Sequence, residues 1–259
     1  MDPTISEWLN LIFRWVHVVA GIMWIGLLYF FNFINGHVAA TFDADAKKKV
    51  VPELMPRTLY WFRWGAAYTW ITGVLLLGIV YYMGGIMVDA DSTMSVGAAT
   101  GIGLGLLVVA WAIYDTLWKA MAKNEMAAVI ISYALTVGVA FALTNLFSGR
   151  AAYIHVGAMF GTLMAGNVWM RIWPAQRRII AATKAGTAPD ANDGAIAKLR
   201  SKHNTYMSVP LVFMMLSNHF PSTFGSTMNW VILAVMIAAG WAATKFLYNK
   251  GGSEAPKFF

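Results

Sequence analysis

The chain has 259 residues, of which 59% are hydrophobic and only 12% are charged, with a mean hydropathy of +0.58 and a net charge of +7. A soluble domain usually carries about 25% charged residues, so this composition excludes an ordinary soluble enzyme or a nucleic-acid-binding domain. Cysteine is absent, which excludes disulfides, thiolate-ligated iron–sulfur clusters and the Cys-x-x-Cys-His attachment of a c-type haem. The sequence predicts an integral membrane protein.

Apolar stretches long enough to cross the ~30 Å hydrocarbon core recur along the chain. They predict an all-α fold, a polytopic transmembrane helical bundle that forms a single integral membrane domain over residues 1–259. About seven spans are expected, at roughly residues 8–33, 60–83, 97–118, 126–147, 151–172, 206–219 and 228–248. The sixth span is short and contains Pro210, so it is expected to kink or to begin earlier, near Lys202.

Two connections are long enough to have structure of their own. Loops on the cytoplasmic side are expected at residues 34–59 and 174–205. In the first of them, Asp43 or Asp45 is expected to cap a short helix at the membrane interface.

The basic residues alternate from one connection to the next. Of the 19 lysines and arginines, all but Arg14 and Arg150 fall on one side of the membrane in this arrangement. The positive-inside rule makes that side the cytoplasm. The N-terminus is therefore predicted outside, and the C-terminus with Lys257 inside, in a multi-pass protein of the bacterial inner membrane. Binding of anionic membrane lipid is a second use of the same basic segments.

His17 lies several helical turns inside the first span, RWVHVVAGIMWIGLLYFFNFIN (14–35). A titratable ring at that depth needs a partner or a function. Helical spacing puts Arg14 and Gly21 on the same face. The glycine leaves room for a flat iron porphyrin or for a neighbouring helix packed closely against the backbone. The residues of this helix alone favour helix packing.

A second intramembrane histidine, His155, lies near the outer end of the fifth span. Spans one and five run in the same direction, so His17 and His155 could face each other and ligate the iron of haem b, for which neutral imidazole is a preferred ligand. Arg14 and Arg150 would then lie outward of the rings, where haem propionates need partners. The alternative is two hydrogen-bonded bundle histidines, with the arginines extended to the surface. His219, at the outer end of span six, could replace either ligand, bond a propionate, or be a simple interfacial histidine.

Polar and charged residues also collect toward the cytoplasmic side, where they could form a cavity for an anionic substrate. They are Arg63, Asp115, Asn167, Arg171, His203 and Asn204. The candidate catalytic residues among them are His203, Asn204, Arg171 and Asp115. The alternative is a set of satisfied helix ends at the interface. Asp115 in particular has Lys119 four residues on, so an ion pair on one helix would account for it.

Four stretches together resemble one family. They are WLNLIFRWVHVVAGIMWIG (8–26), KKKVVPELMPRTLYWFRWGAAYTWITGVLLL (47–77), FSGRAAYIHVGAMFGTLMAGNVWMRIWPAQRRII (147–180) and SKHNTYMSVPLVFMMLSNHFP (201–221). They resemble the membrane (N-terminal) domain of the cytochrome c-linked bacterial urate oxidases, or urate hydroxylases. The resemblance implies a membrane redox protein in which urate is oxidised to 5-hydroxyisourate and the electrons leave through a C-terminal cytochrome c domain.

The sequence departs from that family pattern because it contains no cytochrome c domain. Either a separate cytochrome c or a quinone takes the electrons, or urate chemistry has been lost. The leading hypothesis is a haem b protein that passes electrons from a cytoplasmic-side donor, urate in the resemblance, to such an acceptor. The alternative is a non-catalytic or haem-carrying membrane subunit of a larger respiratory or photosynthetic complex. A transporter ranks last, because intramembrane charges are few and no internal repeat is found.

Overall fold

The computed structural model describes residues 2–252, and it contains helices and turns without a strand in that range. The predicted all-α class is confirmed. The predicted cytoplasmic positions of Lys257 and of the C-terminus at Phe259 lie outside the described residues.

The long helices follow one another with short connections. They are α1 (Pro3–Tyr29), α2 (Ala44–Leu76), α3 (Val96–Ala120), α4 (Glu125–Leu146), α5 (Gly149–Asn167), α6 (Trp173–Lys184), α7 (Ala191–Ser217) and α8 (Asn229–Gly251). Three of them, α1, α2 and α5, run on into π-helical turns at Phe30–Asn35, Leu77–Tyr82 and Val168–Ile172. Single helical turns lie at Gly36–Val38, Ala39–Thr41 and Pro221–Phe224.

Short polar side chains define where several helices begin. Each accepts a hydrogen bond from a backbone N–H of the first turn, which has no partner within the helix. The pairs are Thr4 N to Asp2 at 2.9 Å, Ala46 N to Asp43 at 2.7 Å, Ala98 N to Ser95 at 3.2 Å and Ala127 N to Asn124 at 3.1 Å. The prediction that Asp43 caps a helix is confirmed, although that helix is α2 rather than a short separate one.

The predicted loops are largely helical. Residues 44–59 form the first part of α2, which continues without a break into the second predicted span despite Pro52 and Pro56. A proline frees the carbonyl four residues before it. For Pro52 that carbonyl belongs to Lys48, which is exposed, so water can take the place of the lost bond. The other predicted loop contains α6 and the start of α7, which begins at Ala191 rather than near Lys202.

Five helical segments are long and apolar enough to cross a membrane. They are Pro3–Thr41, Ala44–Tyr82, Val96–Ala120, Glu125–Leu146 and Asn229–Gly251. The two other predicted spans, 151–172 and 206–219, are helical over most of their length but are not among these five.

The long helices leave large apolar side chains uncovered. Trp15 is 69% exposed, Val108 71% and Ile130 61%. Apolar surface of this extent is unfavourable in water and favourable against lipid acyl chains. Together with the length of the helices, it indicates a membrane protein.

The described chain divides into two compact units. The first unit comprises the residues up to Arg14, Thr72–Leu163 and Pro210–Gly240. Its core contains Met87, Tyr153 and Val156, each with 0% exposure. The Tyr153 hydroxyl donates to the Asn229 carbonyl at 2.6 Å, which fastens α5 to the start of α8.

The second unit comprises Trp15–Ile71, Met164–Val209 and the residues from Trp241 onward. Trp24 and Phe62 are each 1% exposed in its core. Here α1 and α2 approach closely at Gly65, where an added Cβ would lie 3.3 Å from the Ala20 carbonyl oxygen. A small residue at such a crossing is the usual means by which membrane helices pack.

Hydrogen bonds between polar side chains also connect the helices of this unit. The Asn32 side chain, in the π-helical turn after α1, donates to the Ser201 hydroxyl at 2.8 Å and accepts from the Tyr248 hydroxyl at 2.8 Å. The Tyr29 and Ser208 hydroxyls are also hydrogen-bonded, at 3.0 Å. These bonds tie α1 to α7 and α8 and satisfy polar groups that lipid cannot.

An ion pair closes the turn between α6 and α7. The Arg178 Nε donates to Asp193 Oδ2 at 2.8 Å, and the Asp193 side chain is only 7% exposed. The hydrogen bond and charge of Arg178 hold the pKa of the Asp193 carboxyl below its usual range. The pair therefore stabilises the fold above the ordinary carboxyl pKa of about 4, and this contribution is lost as the pH falls through the lower pKa of the folded state.

We expect Asp193→Asn to lower the unfolding temperature of the detergent-solubilised protein at pH 7 and to flatten its dependence on pH below about 4. Thermal unfolding followed by circular dichroism measures both effects. The control is Glu53→Gln, which removes the partner of Arg57 in a pair whose side chains are 77% and 71% exposed, and it should change little. Equal effects of the two variants would contradict the structural role of the Arg178–Asp193 pair.

Candidate functional site

His155 is the most completely enclosed histidine of the first unit. Its side chain lies on α5 with 0% exposure. Its Nδ1 lies 2.7 Å from the Ala151 carbonyl oxygen, one turn earlier on the same helix, and its Nε2 lies 3.1 Å from the Tyr82 hydroxyl. Because a carbonyl only accepts, Nδ1 carries the proton in the neutral ring. Nε2 is then the bare nitrogen and accepts from Tyr82.

Aromatic rings surround His155. The ring centroids of Phe147, Tyr82 and Tyr81 lie 5.2, 5.7 and 6.0 Å from that of His155. On the α3 side, an added Cβ at Gly103 would lie 2.9 Å from both Nε2 and Cδ2 of the imidazole. The absence of a side chain at Gly103 is therefore what makes room for this edge of the ring.

Arg150 directly precedes Ala151, whose carbonyl bonds the His155 ring, and the Arg150 side chain is fixed by hydrogen bonds. Its Nε donates to Asn218 Oδ1 at 3.1 Å, and the Tyr81 hydroxyl donates to the same oxygen at 3.0 Å. Tyr81 is also within the influence of the charges of both Arg150 and Arg14. In the first unit the structure thus gathers Arg150, Tyr81 and His155 into one neighbourhood.

The other predicted haem residues take different positions. His219 is exposed after the end of α7, and Arg14 is exposed with its Nη2 bonded to Asn10 Oδ1 at 3.1 Å. His17 is half-buried on the part of α1 that belongs to the second unit. Thr69 of α2 lies beside Gly21, 3.8 Å from where a Cβ would be, which supports the helix-packing interpretation of that glycine. The pairing of His17 with His155 stays a prediction.

The second unit contains a buried amide pair. Asn167 Nδ2 donates to Asn204 Oδ1 at 2.8 Å, and Asn204 Nδ2 donates to the Met164 carbonyl oxygen at 3.0 Å. Both asparagines have 0% exposure. The pair links the end of α5 to α7. His203 precedes Asn204 and is 9% exposed, and Arg171 lies half-buried in the π-helical turn after α5.

Asp115 is accounted for without a substrate. Its carboxylate lies 2.7 Å from the Lys119 ammonium, one turn further along α3, so the ion pair expected from their spacing is confirmed. Asp115 also belongs to the first unit, whereas His203, Asn204 and Arg171 belong to the second. Its assignment as a catalytic residue stays a prediction that this geometry does not require.

An arginine surrounded by aromatic rings is the feature that the sequence indicated least clearly. The Arg63 guanidinium lies over the ring of Trp173 at 4.1 Å, and the rings of Tyr60, Trp169 and Trp64 are at 5.7, 5.8 and 6.0 Å. These distances are typical of cation–π contacts. We call Arg63 and these four aromatic residues the Arg63 cluster. Only Arg63 was marked by its charge, because the rings resemble the aromatic belt of any membrane protein.

Long apolar helices with buried histidine, asparagine and ion-paired side chains define a polytopic helical membrane protein with a polar interior. A sequence profile described as "Urate oxidase N-terminal" matches residues 3–50 and 37–258, nearly the whole chain. The protein belongs to the urate oxidase N-terminal family, and the resemblance inferred from four of its stretches is confirmed. No curated protein and no solved structure matches the chain.

We expect Gly103→Ala to destabilise the protein by about 1–3 kcal/mol, the usual effect of overpacking a filled interior, because the new methyl group would meet the His155 ring at 2.9 Å. The controls are Gly101→Ala and Gly105→Ala on the same helix, where an added Cβ meets nothing within 4 Å. They should be neutral or stabilising by up to about 1 kcal/mol. Unfolding in detergent measures all three, and equal stability of the three variants would contradict the enclosure of His155 by α3.

Proposed function

We propose that this chain is a multi-pass haem b protein of the bacterial inner membrane that oxidises urate and passes the electrons to a cytochrome c or a quinone. Membership of the urate oxidase N-terminal family supports urate as the donor. The observation that carries the haem assignment is the state of His155, whose Nδ1 is held by the Ala151 carbonyl and whose Nε2 is left without a proton.

The proposed topology has seven spans, with the N-terminus outside and the C-terminus in the cytoplasm. Five helices of sufficient length support part of it. In this proposal the predicted spans 151–172 and 206–219, which are helical over most of their length, would form the two further crossings. The concentration of lysine and arginine in alternate connections supports the orientation.

The residues around His155 suit an iron ligand. A metal-binding histidine almost always donates its second N–H to a carbonyl or carboxylate, which fixes the tautomer and the ring direction. His155 does this through Ala151 at 2.7 Å. Its Nε2 now accepts from Tyr82, so an iron bound there would replace that hydrogen bond. Because Gly103 has no Cβ beside Nε2, the Tyr82 hydroxyl is the side-chain group that contacts this nitrogen.

Cationic partners for haem propionates are available in the same unit. Arg150 donates to Asn218 through its Nε and also bonds the Tyr81 hydroxyl. A guanidinium carries five N–H groups, so others remain that can bind a carboxylate. Arg14 adds a second positive charge near Tyr81. In this proposal His17 would be the second histidine to bind the haem iron and His219 would be a further propionate partner, as their places near the outer ends of the predicted spans suggest.

The chemistry of the donor is a two-electron oxidation. Urate monoanion and water give 5-hydroxyisourate, one proton and two electrons. Haem b supplies a carrier that takes up and releases one electron at a time. Among this chain's residues, the buried pair Asn167 and Asn204, with His203 and Arg171 close by in sequence, offers amide and cationic groups on the proposed cytoplasmic side.

The first experiment is a reduced-minus-oxidised spectrum, with pyridine haemochrome quantitation, of the protein purified in mild detergent. We expect close to stoichiometric b-type haem in the wild type. His155→Gly should lose most of the signal, and added imidazole should restore it, because free imidazole can occupy the place of the missing ring. His37→Ala is the control, since His37 is exposed and lies outside the proposed site.

Urate oxidation by the same preparations, with cytochrome c or a quinone as acceptor, completes the test. Wild-type protein without haem, or an unchanged haem spectrum in His155→Gly, would contradict the assignment. A haem-free chain that always co-purifies with other membrane proteins would instead favour the alternative, a subunit of a larger complex.

A further inference from the structure

Arg63 lies on α2 between the basic first part of that helix and its apolar second part, near the cytoplasmic end of the predicted span 60–83. An arginine at the edge of an apolar span usually has a carboxylate partner or a function. Within residues 2–252, no carboxylate forms an ion pair with Arg63. The stabilisation that its charge receives from the protein therefore comes from the aromatic rings around it.

The Arg63 Cζ lies 4.1 Å from the Trp173 ring centroid, well within the range of a cation–π contact, and the other three ring centroids lie 5.7–6.0 Å away. A cation–π contact uses the flat face and leaves the N–H groups, which point outward in the guanidinium plane, able to donate. The Arg63 Nε is buried and has no hydrogen-bond partner in the described structure. Leaving a buried donor unsatisfied is unfavourable, so a ligand that accepts from it would be stabilised.

The arrangement is held in place before any ligand arrives. Trp169 Nε1 donates to the Arg63 carbonyl oxygen at 3.1 Å. Trp169 also packs edge-on against Trp64, with ring centroids 5.6 Å apart. These contacts join α2 to the π-helical turn Val168–Ile172. These contacts involve the Arg63 backbone carbonyl and the tryptophan rings, and not the Arg63 side chain. We therefore expect them to remain when the Arg63 side chain is replaced.

We propose that the Arg63 cluster is a binding site for a planar organic anion. An anion hydrogen-bonded to the edge of a guanidinium lies in the guanidinium plane, and the rings that cover Arg63 would then cover the anion as well. Phosphate would satisfy the charge but would gain nothing from flat aromatic surfaces. The identity of the anion rests on the proposed function, and under that function it is urate monoanion, which is flat, aromatic and negatively charged.

The test is direct binding of radiolabelled urate to purified wild-type protein in nanodiscs without an electron acceptor, so that the result does not depend on turnover. We expect Arg63→Gln to raise the urate Kd at least about tenfold, because the substitution removes one charge-assisted hydrogen bond, whose loss weakens binding by about that factor. Arg63→Lys should recover only part of the affinity, since an ammonium keeps the charge but cannot stack or donate as a flat fork. Trp173→Leu should also weaken urate binding.

The matched control is Arg57→Gln, on the same helix and paired with Glu53 at 2.9 Å, which should leave the urate Kd unchanged. Competition distinguishes the chemistry of the ligand. Unlabelled urate should displace the label, and inorganic phosphate at the same concentration should not. Nanodiscs with and without phosphatidylglycerol should give the same Kd.

Several results would overturn the proposal. They are absence of urate binding by the wild type, equal Kd values for Arg63→Gln and Arg57→Gln, and displacement of urate by phosphate or by the anionic lipid, which would make the cluster a headgroup site. Urate oxidation with an unchanged KM in Arg63→Gln would overturn this site but leave the proposed function intact. Urate binding through Arg63 without any oxidation would overturn the proposed function and leave the site.

Discussion

The hydrogen bond from His155 Nδ1 to the Ala151 carbonyl is the interaction on which the first unit's site depends. It is short, at 2.7 Å, and buried, and it decides which nitrogen of the ring can accept. The contact with Tyr82 depends on this tautomer, because the Tyr82 hydroxyl can donate only to an unprotonated Nε2. Gly103 must lack a side chain for the same edge of the ring to fit. The general constraint is that lipid satisfies no polar group, so each must find its partner within the protein.

The three π-helical turns place polar and aromatic side chains in both units. Leu77–Tyr82 brings Tyr81 and Tyr82 against His155, and Val168–Ile172 brings Trp169 against Arg63. The turn at Phe30–Asn35 positions Asn32 between Ser201 and Tyr248. π-Helical turns are rare and are frequently found at functional sites. Their coincidence here with the polar contacts of α1, α2 and α5 indicates that these helices are shaped by their buried polar groups.

Much of the fold followed from the sequence, because apolar length and helical spacing act locally. The helical class, the long apolar helices and the Asp43 cap were predictable, and so was the Asp115–Lys119 ion pair, since its partners are one turn apart. The continuation of α2 through Pro52 and Pro56 was not, because two prolines and a basic run usually mark a boundary. For Pro52, the residue that loses its hydrogen-bond partner, Lys48, is exposed, so water can take the place of that bond.

The site was less predictable than the fold. His155 and Arg150 could be identified by type and depth, but Tyr82, Gly103 and Asn218 are their partners only through contacts between distant segments. The Arg63 cluster likewise joins α2 to the turn after α5, residues more than a hundred positions apart in the chain. No spacing rule within one helix could have found it, and tryptophan is too common at membrane interfaces to be a signal by itself.

We propose that urate delivers electrons to a haem held by this chain. The most direct measurement is anaerobic addition of urate to the oxidised, purified wild-type protein, with the b-type absorption bands and the urate concentration followed together. We expect the bands of reduced haem to appear as urate is consumed, with two electrons recovered in the haem and added acceptor for each urate lost. Haem that stays oxidised while urate remains intact, although dithionite reduces it, would contradict the claim.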